Sequence, residues 1–292
     1  MRGTLYTPHT DSGCNRSVVL LLHGLSYGAW VWDFPLQPST YSVARALAAR
    51  GFPAVAVDEL GYGTSDHPNG YTLSVESYGN ITGQMITQLR AGSYWATTPR
   101  AFQQVALYGH SAGSEMAELA AGAFTPVDAL IASGYTHFPS SGIFQNTVTQ
   151  DQSQMLLYDY IYFTGSPSNR LAFMYNAPAA DPAIMAQDNA LANATPSGEE
   201  MSIPAQPSRD VLPLIHAPVL LVLGDHDALF PANDGLVNYA SLDLAFFTGT
   251  ADKSAYVVPQ AGHAFMLHTS APQTQQVVGD WLQARIQRCA VH

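Results

Sequence analysis

The chain has 292 residues, 47% of them hydrophobic and 11% charged, which is enough apolar material for a sizeable core and excludes a disordered or fibrous polypeptide. Its formal net charge of −11, with only 11 Lys plus Arg, leaves too few cations for the basic face that nucleic acid or an anionic membrane surface requires, so neither is expected as a partner. No apolar run reaches membrane-spanning length and the N-terminus lacks the apolar centre of a signal peptide, so the expectation is a soluble chain, cytoplasmic, or secreted if a leader has been removed.

In chain order, residues 3–7 read as a strand, and continuous apolar runs follow at 18–22, 53–57, 105–108, 129–132, 219–223 and 256–258. Between them lie helical patterns at 40–50, ended by Gly51, at 74–89, 114–122, 232–239 and 272–288. Apolar strands that alternate with helices predict an α/β fold, a doubly wound and mostly parallel sheet with helices on both faces. The alternation breaks once. From His137 to Pro213 no buried-strand run appears and the composition turns to Tyr, Phe, Met, Asn, Gln and Pro; a connection this long is an insertion with helices of its own. The expected division is therefore a core of residues 1–136 and 214–292 and an inserted unit of 137–213. Cys14 and Cys289 could bridge in an oxidising compartment, but two reduced thiols are expected.

Gly109-His110-Ser111-Ala112-Gly113 stands directly after the run 105–108 and before a helix-forming stretch. G-x-S-x-G in that setting places a serine on a sharp strand-to-helix turn, with small neighbours that let its hydroxyl stand clear of the sheet. A serine needs a histidine to take its proton and a carboxylate to orient that histidine, and in a doubly wound sheet these sit beyond the carboxyl ends of strands. The run 219–223 ends in Gly224-Asp225-His226-Asp227, which offers two acids, Asp225 and Asp227; the run 256–258 leads to Gly262-His263, which offers the base. The spacing of Asp225, His226, Asp227, His263 and His268 follows no metal-ligand pattern, and neither a metal nor a cofactor is expected.

With His23-Gly24-Leu25-Ser26 after the run 18–22 and Gly-x-x-Asp-x-x-x-Pro at Gly224 to Pro231, the chain resembles the α/β-hydrolase superfamily, an esterase-like or lactonase-like member with a cap insertion. That resemblance implies Ser111, Asp227 and His263 as the catalytic residues and the N–H groups of Leu25 and Ala112 as the oxyanion hole. It favours Asp227 over Asp225, because the family's acid stands four residues before the proline. It also implies that 137–213 covers the site, with Trp30, Trp32, Tyr158, Tyr162 and Phe163 as candidate substrate contacts and packing as their ordinary alternative. His268 departs from the pattern, standing where many members carry an acidic residue.

The expected reaction is acyl transfer from a neutral, apolar ester or lactone, a bulky natural product included, to Ser111 and then to water. Serine in place of aspartate argues against epoxide and haloalkane chemistry. Carbon–carbon hydrolysis, amide hydrolysis, cofactor-free perhydrolysis and a ligand-binding receptor that keeps the triad remain alternatives, and a homo-oligomer is left open.

Overall fold

The computed structural model describes residues 1–9, 16–140, 142 and 161–289. The strands are β1 (Arg2–Tyr6), β2 (Ser17–Leu22), β3 (Ala54–Asp58), β4 (Gln104–His110) and β5 (Ala129–Ser133), then β6 (Tyr162–Phe163), β7 (Thr195–Pro196), β8 (Val219–Gly224) and β9 (Lys253–Val258). Seven form one sheet in the order β1-β3-β2-β4-β5-β8-β9. β1 pairs antiparallel with β3 and the others are parallel, so the α/β expectation and the mostly parallel sheet hold. β2 is fully buried because both sheet faces are covered: Val19 and Leu21 join one apolar cluster, and Val18, Leu20 and Leu22 the other.

On the first face lie α1 (Pro38–Tyr41), α2 (Val43–Ala49) and the C-terminal helix Ala271–Gln283, which contribute Tyr41, Leu47, Val278 and Leu282. On the second lie α3 (Val75–Ala91) and α4 (Ala112–Leu119), which contribute Ile86, Leu89 and Ala117. The single helix expected over 40–50 is two, because Ser42 leaves helical backbone and accepts the Arg45 N–H at 3.1 Å as the cap of α2.

Between β5 and β8 the described residues form α5 (Pro167–Met174), α6 (Pro182–Leu191) and α7 (Ser197–Ser202), with β6 and β7 paired antiparallel. This insertion meets the core through several contacts, among them Tyr62 donating to Glu199 at 2.8 Å and Val75 N–H donating to Ser202 Oγ at 3.0 Å.

One expected helix is absent. Residues 232–238 are not helical; the helix α8 (Tyr239–Leu244) begins where 232–239 was expected to end. The Asp234 carboxylate takes the N–H groups of Leu236 at 2.9 Å and Val237 at 2.8 Å, offering the backbone a turn in place of a helix, and Asn238 then caps α8 through Ser241. A second correction concerns the thiols: Cys289 is disulfide-bonded, not reduced. Cys14 lies outside the described residues. Among the described residues no helix is long and apolar enough to cross a membrane.

Candidate active site

The loops that leave the carboxyl ends of β2, β4, β5, β8 and β9 converge. β4 keeps its parallel pairing through His110 and the chain turns at Ser111, whose φ of 56 and ψ of −126 belong to a region that side chains rarely enter. The turn is fixed from both sides: Ser111 N–H donates to Ser133 O at 2.7 Å, and Ser111 O accepts Ser114 N–H at 2.8 Å. A side chain at Gly109 would stand 2.3 Å from Gly113 O, and one at Gly113 would stand 2.3 Å from His23 O. The two glycines therefore let three backbone segments close around the serine, and α4 starts at Ala112 with its N-terminal dipole at the site.

Asp227 and His263 come together. Asp227 Oδ2 lies 2.8 Å from His263 Nδ1, while Oδ1 accepts the N–H groups of Leu229 at 2.8 Å and Phe230 at 2.9 Å. The carboxylate is thus oriented before the imidazole meets it. His263 is fully buried, packed on His110 at 4.8 Å between ring centroids and on Phe230 at 5.9 Å. With Nδ1 committed to the carboxylate, Nε2 is the acceptor of the neutral ring, and it is buried with no hydrogen-bond partner. It makes no bond to Ser111 Oγ; such bonds are often long until substrate aligns them. Asp225 does other work: it binds His226 Nδ1 at 2.6 Å and the Ala261 N–H at 3.0 Å, which braces the loop that delivers His263.

The β2 loop lies against the serine, since a side chain at Gly24 would stand 2.7 Å from Ser111 Cβ. Among the described residues the N–H groups of Leu25 and Ala112 have no acceptor. His23 anchors this loop: its Nδ1 donates to Gly24 O at 2.9 Å and its Nε2 accepts the Glu59 N–H at 3.2 Å, and burial lowers its pKa to about 4 so that it stays neutral. Burial likewise holds His110 well below the ordinary histidine range. His268 Nε2 accepts the N–H groups of Gly262 and Asn176, both at 3.1 Å, and its Nδ1 donates to Ala264 O at 2.9 Å. A neutral imidazole, its pKa lowered by burial, thus binds the loop around His263 where many relatives have an acid.

The aromatic candidates separate. Trp32 is fully buried, 4.9 Å from Tyr108, in the core beneath the site, whereas Trp30 is half-buried against Tyr27 at 5.3 Å. Tyr162 donates to Pro68 O at 2.6 Å, at the seam between insertion and core, and Phe163 is buried beside it. Tyr158 lies outside the described residues.

A second serine–histidine–aspartate grouping escaped the sequence reading. His137 Nδ1 lies 2.9 Å from Asp243 Oδ1, and its Nε2 lies 2.9 Å from Ser208 Oγ. Ser208 Oγ donates in turn to Glu118 Oε2 at 2.8 Å. Its members lie 71 and 106 positions apart, on elements that share no motif, so only a visible pairing could have found it.

Residues 19–275 match the alpha/beta hydrolase family. No curated protein matches the sequence. Among solved structures, the chain is similar to a monoacylglycerol lipase of Paleococcus ferrophilus, with a TM-score of 0.71, 19% identity and coverage of 97% of this chain and 98% of that one. It is similar to an esterase from Thermogutta terrifontis, with a TM-score of 0.70, 16% identity and coverage of 97% and 93%. MenH from S. aureus gives a TM-score of 0.69 at 11% identity, covering 97% and 98%. Identities this low speak for the fold alone, whereas the family match runs from β2 into the C-terminal helix: the chain belongs to the alpha/beta hydrolase family.

Proposed function

We propose that the chain is a serine hydrolase that cleaves a neutral, apolar carboxylic ester or lactone, bulky natural-product lactones included, through an acyl-enzyme. The observation that carries this reading is the strained Ser111 turn beside an imidazole whose Nδ1 is held by Asp227 at 2.8 Å and whose Nε2 has no partner. In this reading His263 Nε2 takes the Ser111 proton as Oγ attacks the carbonyl carbon. The Leu25 and Ala112 N–H groups hold the oxyanion, and Asp227 stabilises the imidazolium. His263 returns the proton to the leaving alcohol, and a water activated by the same nitrogen then cleaves the acyl-enzyme.

A neutral substrate is supported by the charge around the site. Arg170, the cation beside the β2 loop, is already neutralised by Asp188 at 2.7 Å, so it is not available to an anionic leaving group. Esterases and a lipase among the structural neighbours support an ester hydrolase in general terms. The insertion over 137–213 acts here as the cap, and Trp30 is the aromatic best placed to meet substrate.

A panel of p-nitrophenyl esters and aromatic lactones, assayed with the wild type and Ser111→Ala alongside intact-mass detection of an acyl adduct, tests this. Ser111-dependent turnover is expected. A folded wild type with neither turnover nor adduct would sink the hydrolase and favour a ligand-binding receptor.

A further inference from the structure

Ser26 directly follows Leu25 and has a φ of 62, a backbone conformation that a side chain disfavours. Something must hold it, and what holds it is the insertion. The Ser26 N–H donates to Thr195 Oγ1 at 3.1 Å, its carbonyl accepts the Asn193 N–H at 2.8 Å, and its hydroxyl accepts from Arg170 Nε at 3.0 Å. The next carbonyl, of Tyr27, accepts from Asn193 Nδ2 at 2.9 Å. All three polar handles of the strained residue are thus taken by residues from the inserted segment.

The grip is itself rigid. Arg170 on α5 makes a two-pronged ion pair with the fully buried Asp188 on α6, at 2.7 and 3.1 Å, and its guanidinium lies 4.8 Å from the centre of the Tyr27 ring. A planar guanidinium pinned along one edge and covered on one face has little freedom left, so Nε is presented to Ser26 in a fixed direction. From the core, the loop has its own internal Tyr27 N–H to Gly24 O bond, at 3.2 Å, and the His23 anchor, and at its far end Asp58 Oδ1 accepts the Ala29 N–H at 2.7 Å.

We infer that Arg170, Asn193 and Thr195 are positioning residues that set the Leu25 N–H for the oxyanion, so that the insertion completes the oxyanion hole as well as covering it. The inference rests on the hydrolase reading. An insertion that only walled the substrate would act on ground-state binding; one that aims an oxyanion donor acts on the transition state.

The test compares Thr195→Val, which keeps the shape and removes the acceptor, with Thr195→Ser, which restores it, and with Arg170→Met. Each is assayed on the best ester of the panel and titrated with an arylboronic acid, whose tetrahedral serine adduct places an oxygen in the hole. Thr195→Val and Arg170→Met are expected to lower kcat by roughly 10- to 100-fold with KM little changed. Boronate affinity falls by a similar factor, and Thr195→Ser recovers both. A structural lesion in the insertion would not produce that split or that rescue. Wild-type kcat in both variants, or a raised KM at unchanged kcat, on an enzyme with Ser111-dependent turnover overturns this inference alone. Absence of turnover in the wild type overturns the hydrolase reading and this inference with it.

Discussion

The Ser111 and Ser208 groupings contain the same three residue types, with histidine Nδ1 on aspartate in both, at 2.8 Å and 2.9 Å. They differ in what surrounds them. Ser111 is half-buried on a strained turn beside two unsatisfied N–H groups, and the Nε2 of its histidine is unoccupied. Ser208 is fully buried, its hydroxyl donates to Glu118, and the Nε2 of its histidine is already bonded to it. A serine whose hydroxyl is held between Glu118 and the imidazole is already engaged on both sides, and a buried one cannot meet a substrate. Three residue types in contact therefore make a clasp; backbone strain, an open acceptor and waiting donors are what the proposed nucleophile adds to them.

The two groupings also hold protons in opposite senses. Around Ser111 burial keeps His23, His110 and His268 neutral. In the clasp, Asp243 and Glu118 outweigh the burial that opposes them and raise His137, while burial raises Glu118 from 4.5 to about 8. A chain of ring-to-ring contacts joins the two, from His137 through Tyr135 and Phe230 to His263, at 5.2, 5.0 and 5.9 Å.

The largest contrast is expected in turnover. Ser111→Ala removes about 10⁶-fold of kcat, as loss of a triad serine does, while Ser208→Ala leaves kcat on the same ester essentially unchanged. A comparable loss from Ser208→Ala would break the distinction drawn here. Next comes the carboxylate: Asp227→Asn lowers kcat by about 10⁴-fold through the wrong histidine tautomer, whereas Asp225→Asn does far less. In Asp243→Ala the cost moves from rate to stability. Removing one partner of a buried charge pair weakens folding by about 3–5 kcal/mol, read from denaturant midpoints, with the kcat of the folded fraction preserved.

The smallest effect sharpens the comparison most. A lowered histidine pKa means the unfolded chain binds the proton first, so the stability contributed by His23 is present above about 6.5 and is lost as pH falls toward about 4, and that contributed by His268 is likewise lost as pH falls below 6.5. For the clasp the folded state binds more protons, so stability is lost as pH rises, from 4.5 toward about 8 for Glu118 and above the ordinary histidine value for His137. Glu118→Gln should remove the loss of stability between pH 4.5 and about 8, by up to a few kcal/mol, and leave the slope of the profile below 4.5 alone. An unchanged slope between 4.5 and about 8 in that variant would contradict the assignment.

Much of this was readable in the residues, for physical reasons. A strand buried on both faces shows as an unbroken apolar run, so β2, β4, β5 and β8 were found to within a residue or two. Local chemistry proved harder. The 232–239 pattern looked helical because its apolar spacing fits, yet one carboxylate, Asp234, captured two N–H groups that the helix needed. The Ser111 turn announced itself because glycine at both flanks has a local cause. The grip on Ser26 did not, because it depends on Arg170, Asn193 and Thr195 arriving from a segment more than a hundred residues away, with nothing in the intervening pattern to mark them.

The backbone at Ser111 sets a conflict between durability and work. A φ of 56 with ψ of −126 suits glycine, so Ser111→Gly should melt at a higher temperature than the wild type while hydrolysing nothing. In the proposed hydrolase, selection for thermal endurance alone would erode the nucleophile, and the serine would persist there only where activity is demanded of the protein.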